Sequence, residues 1–549
     1  MGHPTSLLTE FRRWAERKPA QRAVLDHDVY ASRARGELVV RSSRTVLQMW
    51  DDVTALAVSL RQLGLRRGDV VALQLPNWHE WLVTHLACYA IGAVTMPISP
   101  VYRTRDVARQ LGVADVRALV LPTSFGSFDY LAMGAELQDT NAGLKVVIGV
   151  GEVPAGSPAL AWHELTRLGR HPDHAPLRAD IADGRYAHGV DDVMLLNFTS
   201  GTTGEPKGVL HTTATITSVV GSAAERLELT PDETVFVAVT LGHSGGFLNG
   251  IYLPLLLSAP IVYMDLWDAG LALQVIERER ITYGPAMPPY LIDMINHPSF
   301  EGTDISSWRT ARVSGGIMPH EVIARLHRQI PTIRLCPGWG MSELSYVTCA
   351  SPHDPVEKLS YTDGRPLDPC QIQIRDEWGE QELPLGEAGE IVVRSPGLTA
   401  GYLGRPELTA AAFTADGWFR SGDVGRVDAD GYLTVVGRTK DIILRGGENV
   451  PVVEVEALVN EHPRVSAVAV IGVPDARLGE RVCAVLELTD PAAPVTVDEL
   501  RRYLAGKELT RQFIPEYVVI VDRLPRTPSG KIRKVMVRDE VVPGFTQSS

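Results

Sequence analysis

Apolar positions in the first half of the chain switch repeatedly between two spacings. In "VLQMWDDVTALAVSLRQLGL" (Val46 to Leu65) and "WHEWLVTHLACYAIGAV" (Trp78 to Val94) they recur every three to four residues, which predicts amphipathic or buried helices. Between and after them, "DVVALQLP" (Asp69 to Pro76), "ALVLP" (Ala118 to Pro122) and "VMLLNF" (Val193 to Phe198) are short continuous apolar runs, which predict buried strands. "GVLHTTATITSVVGSAAERL" (Gly208 to Leu227) is expected to open a helix. "TVFVAV" (Thr234 to Val239) and "PIVYM" (Pro260 to Met264) are expected as strands, and Leu271 to Ile295 as helix, strand, turn and helix. Strands alternating with helices predict parallel sheets with helical crossovers.

From about Gly364 the texture changes to short strands with Gly/Asp turns, as in "DGWFRSGDVGRVDADGYLTVVGR", which predicts an antiparallel, barrel-like subdomain. Beyond Gly437 to Asp441, helix and strand signals alternate in a compact α+β unit. The expected fold is therefore α/β: a large N-terminal domain (1–439) of parallel-rich sheets with helices plus the small β subdomain, and a small C-terminal α+β domain (440–549).

Composition narrows the class without naming it. At 549 residues the chain exceeds one ordinary domain, and 45% hydrophobic with 22% charged residues is ordinary for a globular protein. A net charge of −13 argues against nucleic-acid and anionic-membrane partners. Cys88, Cys336, Cys349, Cys370 and Cys483 are odd in number and lack metal-ligand spacing, so reduced thiols in a cytoplasmic protein are expected. The N-terminal stretch carries charges where a signal peptide needs an apolar run, and "GIYLPLLLSAPIVYM" (Gly250 to Met264) is too short and proline-broken to span a membrane.

The chemistry enters with "TSGTTGEPKG" (Thr199 to Gly208), set directly after a strand. Backbone N–H groups of a Gly/hydroxyl loop form a concave cradle for phosphate oxygens. Hydroxyls of Thr199, Ser200, Thr202 and Thr203 add donors, Lys207 a point charge, and Gly201, Gly204 and Gly208 let the backbone approach a ligand. The order Pro206-Lys207-Gly208 is not that of a P-loop NTPase.

Further stretches fit the same theme. "RVSGGIMP" (Arg312 to Pro319) and "PGWGMSE" (Pro337 to Glu343) set glycines beside apolar strands. There Trp339 offers a planar face for a base, and Glu343 a carboxylate for Mg2+. "WFRSGDVG" puts Asp423 in a turn, where a carboxylate can accept from both hydroxyls of a ribose. "GRTKDIILRGGENV" (Gly437 to Val450) lies at the domain boundary, and "PRTPSGKIRK" holds Lys531.

Taken in order, these stretches resemble the motifs of the adenylate-forming superfamily, which includes acyl-CoA synthetases, peptide-synthetase adenylation domains and firefly-type luciferases. The resemblance runs from about Thr45 to Lys534. It implies a C-terminal domain that is mobile and a reaction in two halves: a carboxylate attacks the α-phosphorus of MgATP, then a thiol, usually of CoA, displaces AMP.

It implies that Lys531 bridges carboxylate and α-phosphate, that Glu343 carries Mg2+, and that Thr199, Ser200, Gly201, Thr202, Thr203, Gly204 and Lys207 handle the phosphates. Asp423 and Arg438 would hold the ribose. Ser314, Gly315, Gly316, Gly338, Trp339, Gly340, Met341 and Ser342 would frame the adenine. Lys440 matches the hinge, and Gly446 and Gly447 the strand brought to the CoA channel. Trp339 stands for the family's usual tyrosine, and Ser342 and Ser421 for threonines. Val452 replaces the usual proline, with Pro451 one place earlier, which bears on the loop near the thiol channel.

Around the acid, the chain looks most like bacterial medium-chain and alicyclic (cyclohexanecarboxylate) CoA ligases. His243 is expected near the carboxylate or the thiol path, and Gly245, Gly246 and Phe247 are expected to form a roomy acyl pocket with one aromatic wall. No aspartate stands near His243 and Ser244 to grip an ammonium, so the acid is expected to lack an α-amino group. The partners expected are a hydrophobic carboxylic acid, ATP and CoA, with an acyl carrier protein as the alternative acceptor and oligomeric state left open. A luciferase-type oxygenase and a non-catalytic nucleotide-binding scaffold are the rival readings.

Overall fold

A computed structural model describes residues 6–199, 206–314, 323, 325–326, 328, 330–376, 381–438, 443–445, 448–450, 452–475, 478–507, 509, 511–526 and 530–541. Among these, two large sheets carry the N-terminal part. One runs, edge to edge, through Arg334–Pro337, Thr310–Val313, Tyr283–Ala286, Val235–Val237, Ile261–Met264, Arg22–His27 and Val40–Thr45, parallel except at the last strand. The other runs through Gly401–Tyr402, Lys207–Thr212, Val193–Thr199, Val94–Pro97, Val70–Leu73, Val116–Pro122, Val146–Val150 and Leu160–Ala161.

The central parallel strands, such as Ile261–Met264 and Val116–Pro122, are apolar because they are buried on both faces. Thr45 and Thr212 each start a helix with a reciprocal capping box, to Gln48 and Thr215. The helix His79–Ile91 is buried along its whole length between the two sheets. Charge beside that helix is paired. Arg41 donates to both carboxylate oxygens of Glu80 at 2.8 Å, and His79 Nδ1 lies 2.7 Å from Asp26 Oδ2. Although burial opposes it, Glu80 and Asp26 hold His79 above its ordinary pKa. Nearby, Asn77 donates to the carbonyls of Val239 and Met264 and accepts from Leu241 N, tying the second sheet to the strand ends of the first.

The expectation at Gly208–Leu227 needs correcting. Lys207–Thr212 is a strand, paired antiparallel with Val193–Thr199 from Val193↔Thr212 to Thr199↔Lys207, and the helix begins only at Thr213. The apolar and hydroxyl residues Val209 to Thr212 suit a half-buried strand as well as a helical turn, and the hairpin partner decides.

Gln371–Arg375, Gly389–Arg394, Phe419–Val427 and Leu433–Arg438 form a four-stranded antiparallel sheet. The C-terminal unit has its own sheet, built on the long hairpin Val465–Asp475/Gly479–Leu488 with Tyr517–Val521 parallel at one side. Its apolar residues form two clusters of their own, one around Val455, Val470 and Leu486, the other around Ile471, Cys483 and Val537. No helix among the described residues is long and apolar enough to cross a membrane.

Candidate active site

The parallel strands of the first sheet all end on one side, and most of the sequence-predicted residues follow those ends. Ser314 comes straight after Thr310–Val313, and the turn 338–343 straight after Arg334–Pro337. Such crevices at the carboxyl ends of parallel strands are where open α/β sheets bind ligands.

The turn is held by close backbone approaches. A Cβ on Gly338 would lie 2.5 Å from the Thr348 carbonyl oxygen, and one on Gly340 would lie 2.0 Å from that of Ser345. Only glycine fits either place, and the Trp339 backbone N–H donates to Thr348 Oγ1 at 2.8 Å between them. The indole is 8% exposed, and its Nε1–H donates to Asp423 Oδ2 at 2.8 Å. Asp423 comes from the antiparallel sheet, where it is the register partner of Arg438. Trp339 and Asp423 are thus physically joined, a link between the two motifs that the sequence reading did not anticipate.

Further along the turn, Met341 packs on the main core, and the Ser342 carbonyl lies 2.6 Å from His211 Nε2. Burial pushes His211 down to about 4, so it is neutral and donates to that carbonyl. Glu343 is buried, its carbonyl accepts from Thr399 N at 2.7 Å, and its carboxylate accepts from the Tyr402 hydroxyl at 2.9 Å. Tyr402 lies in the edge strand paired to Val209 and Leu210, and the Lys207 ammonium sits 5.3 Å from the centre of its ring. One tyrosine therefore connects Glu343 with Lys207 at the start of the strand Lys207–Thr212. It was missed because its two-residue strand carries no local signal.

His243 caps the short helix Ser244–Phe247, its Nδ1 accepting from Gly245 N at 3.3 Å, which leaves the ring proton on Nε2. Burial, helped by the positive charge of Lys531, pushes it down to about 4. Lys531 itself is exposed on the C-terminal unit and near enough for its charge to act on His243. Arg533 likewise sets its charge against Tyr102 of the large unit.

In the expected acyl pocket the residues behave differently from one another. A Cβ on Gly245 would meet only ordinary contacts, at 3.7 and 3.8 Å. A Cβ on Gly246 would lie 1.9 Å from the Thr240 carbonyl oxygen, so that glycine serves helix packing. Phe247 is 2% exposed and packs edge-on against Tyr252, within the core. Thr199 and Lys207 are register partners at the mouth of the hairpin. Ser200, Gly201, Thr202, Thr203, Gly204, Gly315, Gly316, Lys440, Gly446 and Gly447 lie outside the described residues, as does the side chain of Arg438.

The chain also matches known proteins along nearly its whole length. A family model described as AMP-binding enzyme matches residues 11–403, and one described as AMP-binding enzyme C-terminal domain matches 454–531. The chain is 35% identical to a feruloyl-CoA synthase of an Amycolatopsis species, covering 95% of this chain and 97% of that one. It is 32% identical to the medium-chain fatty-acid–CoA ligase of Escherichia coli, covering 88% and 83%. Among solved structures it is similar to the amide bond synthetase McbA of Marinactinospora thermotolerans, with 30% identity, a TM-score of 0.80, and 97% and 99% covered. A cleft at parallel strand ends, glycine-locked turns in the expected order and matches over both units lead to one conclusion: the chain belongs to the AMP-binding, adenylate-forming enzyme family.

Proposed function

We propose that the protein is an ATP-dependent acid–CoA ligase, converting a carboxylic acid with an apolar body to its acyl-adenylate, with release of pyrophosphate, and then to its CoA thioester, with release of AMP. The observation that carries this reading is the match of both units to the AMP-binding enzyme family, with CoA-forming relatives along nearly the whole chain. The first half-reaction brings an anionic carboxylate to a polyanionic nucleotide, so its barrier falls chiefly by positioning and charge neutralisation. Lys531 supplies a cation where the two anions meet. His243, held neutral, adds no competing charge and offers its Nε2–H to an oxygen.

At the other end of the nucleotide, Asp423, oriented by the Trp339 indole, accepts from the ribose hydroxyls, and the indole faces the base. Thr199, Lys207 and the rest of the hairpin connection hold the departing pyrophosphate. The buried Glu343 carboxylate, an oxygen donor of the hard kind that Mg2+ prefers, fits the metal that would screen the phosphate charge when bound. Lys440 acts as the hinge about which residues 440–549 turn as a separate domain between half-reactions, withdrawing Lys531 and bringing Gly446 and Gly447 to the CoA channel. The names of the relatives, a feruloyl-CoA synthase and a medium-chain ligase, agree with an apolar acid and with CoA as acceptor.

The test is pyrophosphate release with MgATP across acids from butyrate to palmitate, with cyclohexanecarboxylate, benzoate, ferulate and a polycyclic acid, with and without CoA. Release confined to one acid class, thioester formation only with CoA, and a loss of about a hundredfold or more in Lys531→Ala are expected, the size of a lost charge-stabilising group. Release without a thioester would move the acceptor to a carrier-protein thiol. Silence with every acid while ATP still binds would overturn the ligase reading.

A further inference from the structure

Beneath the glycine-locked turn lies a charged group that the chemistry above does not use. Arg312, on Thr310–Val313, is 2% exposed. It makes no ion pair with a carboxylate among the described residues, and its Nε–H has no hydrogen-bond partner there. Its guanidinium lies 3.8 Å from the centre of the Tyr346 ring, and its Nη2 runs past the Cα of Gly338, 3.0 Å from where a Cβ would stand. The Tyr346 hydroxyl is buried against the Asn249 amide. The Cys349 thiol lies against the guanidinium, but among the described residues no carboxylate balances it as Glu80 balances Arg41. A buried cation without an anion is costly, and a ring face offsets only part of that cost.

The same corner connects to the acid end of the cleft. The amide of Asn249 lies beside Tyr346, accepts from the Tyr283 hydroxyl at 2.7 Å, and donates to the Gly245 carbonyl at 2.9 Å. Gly245 in turn donates to His243. Asn249 follows His243 by six positions on one helical run, a separation of about 9 Å at the usual helical rise. That is the length of a medium-chain acid or a substituted aryl acid laid between the two.

We propose that Arg312, with Tyr346, forms the far end of the acyl pocket and recognises an oxygen at the end of the acid remote from its reacting carboxylate: a carbonyl or a second carboxylate. The substrate then has an apolar middle and an oxygen acceptor at each end. This rests on the ligase reading and sharpens it.

The experiment compares kcat/KM for octanoate, 7-oxo-octanoate and octanedioate in wild type, Arg312→Met and Tyr346→Phe, by pyrophosphate release and thioester formation. In wild type at least one oxygenated acid is expected to exceed octanoate by about tenfold or more, the worth of a hydrogen bond to a charged group. The ketone and carboxylate arms separate a neutral from an anionic acceptor. Arg312→Met should level the ratio, Tyr346→Phe should lower it, and KM for ATP should stay put in both. A wild type that uses octanoate as well as either oxygenated acid overturns the inference and leaves the ligase standing. So does an Arg312→Met protein that loses all three acids in equal proportion, since a merely structural arginine would do that. Should Arg312→Met not fold, the wild-type ratio and Tyr346→Phe decide. Silence with all three acids, in an enzyme that activates others from the wider panel, also overturns it.

Discussion

Single side chains at this site act mainly by holding one another. The Trp339 indole N–H fixes one oxygen of Asp423, so Trp339→Phe keeps a ring for the base while freeing the carboxylate. KM for ATP should rise about tenfold or more, since hydrogen bonds to charged groups carry roughly 1.5–3 kcal/mol. KM for the acid should not move, and discrimination between ATP and 2′-deoxy-ATP should shrink. Tyr402→Phe removes the hydroxyl from Glu343. Titrating ATP by calorimetry with and without Mg2+ should show a smaller gain from the metal in that variant; an unchanged gain would rule the tyrosine out as a positioning group. Trp339, Glu343 and Asp423 each stand out in the sequence by their motifs. Their partnership does not, because Trp339 and Asp423 are 84 positions apart and Glu343 and Tyr402 are 59 apart, and no spacing along the chain encodes either meeting.

The elements were more legible than their boundaries. Apolar runs expected at Val193 to Phe198 and Pro260 to Met264 appear as Val193–Thr199 and Ile261–Met264, and the helix–strand–helix order of Leu271 to Ile295 appears as Ala269–Glu279, Tyr283–Ala286 and Pro288–Asn296. Burial on both faces makes such runs conspicuous. The hairpin strand Lys207–Thr212 was not legible, because its partner rather than its own residues selects the extended form. Glycines divide in the same way: their presence in the pocket sequence suggested room, whereas Gly246 is pressed against the Thr240 carbonyl. Gly246→Ala should therefore destabilise the protein by about 1–3 kcal/mol, as overpacking does, rather than merely narrow the pocket. A lowered melting temperature without bound substrate would show this; an unchanged one, with altered acid preference only, would restore the view of Gly246 as pocket lining.

For the molecule as a whole, buried neutral histidines set a lower pH limit. Burial pushes His85 down to about 3 and His211 to about 4, whereas an imidazole in an unfolded chain titrates near 6.5. Folding thus favours the neutral form. The associated stability is complete above about pH 6.5 and is lost as pH falls toward the folded values, by about 2 kcal/mol per histidine at pH 5. His85→Gln should flatten the slope of unfolding free energy against pH between 6.5 and 4 by one proton, even if it lowers stability at neutral pH. An unaltered slope would show that His85 is not the group responsible. The two apolar clusters of the C-terminal unit are built from its own residues, so calorimetry should resolve a second transition that persists when ATP stabilises the first.

The two ends of the cleft are made of different material. Around the nucleotide, the turn at 338–340 is walled by main chain: a methyl group at Gly338 or Gly340 strikes a carbonyl of a neighbouring segment. At the end proposed for the acid, the contacts are between side chains, Arg312 on Tyr346 and Tyr283 on Asn249. Inherited changes therefore fall unevenly. A side chain added at Gly338 or Gly340 disturbs the backbone, while an exchange at Arg312 or Tyr346 would change only side-chain contacts. Over descent, such a protein keeps its way of activating carboxylates while drifting in which carboxylate it activates.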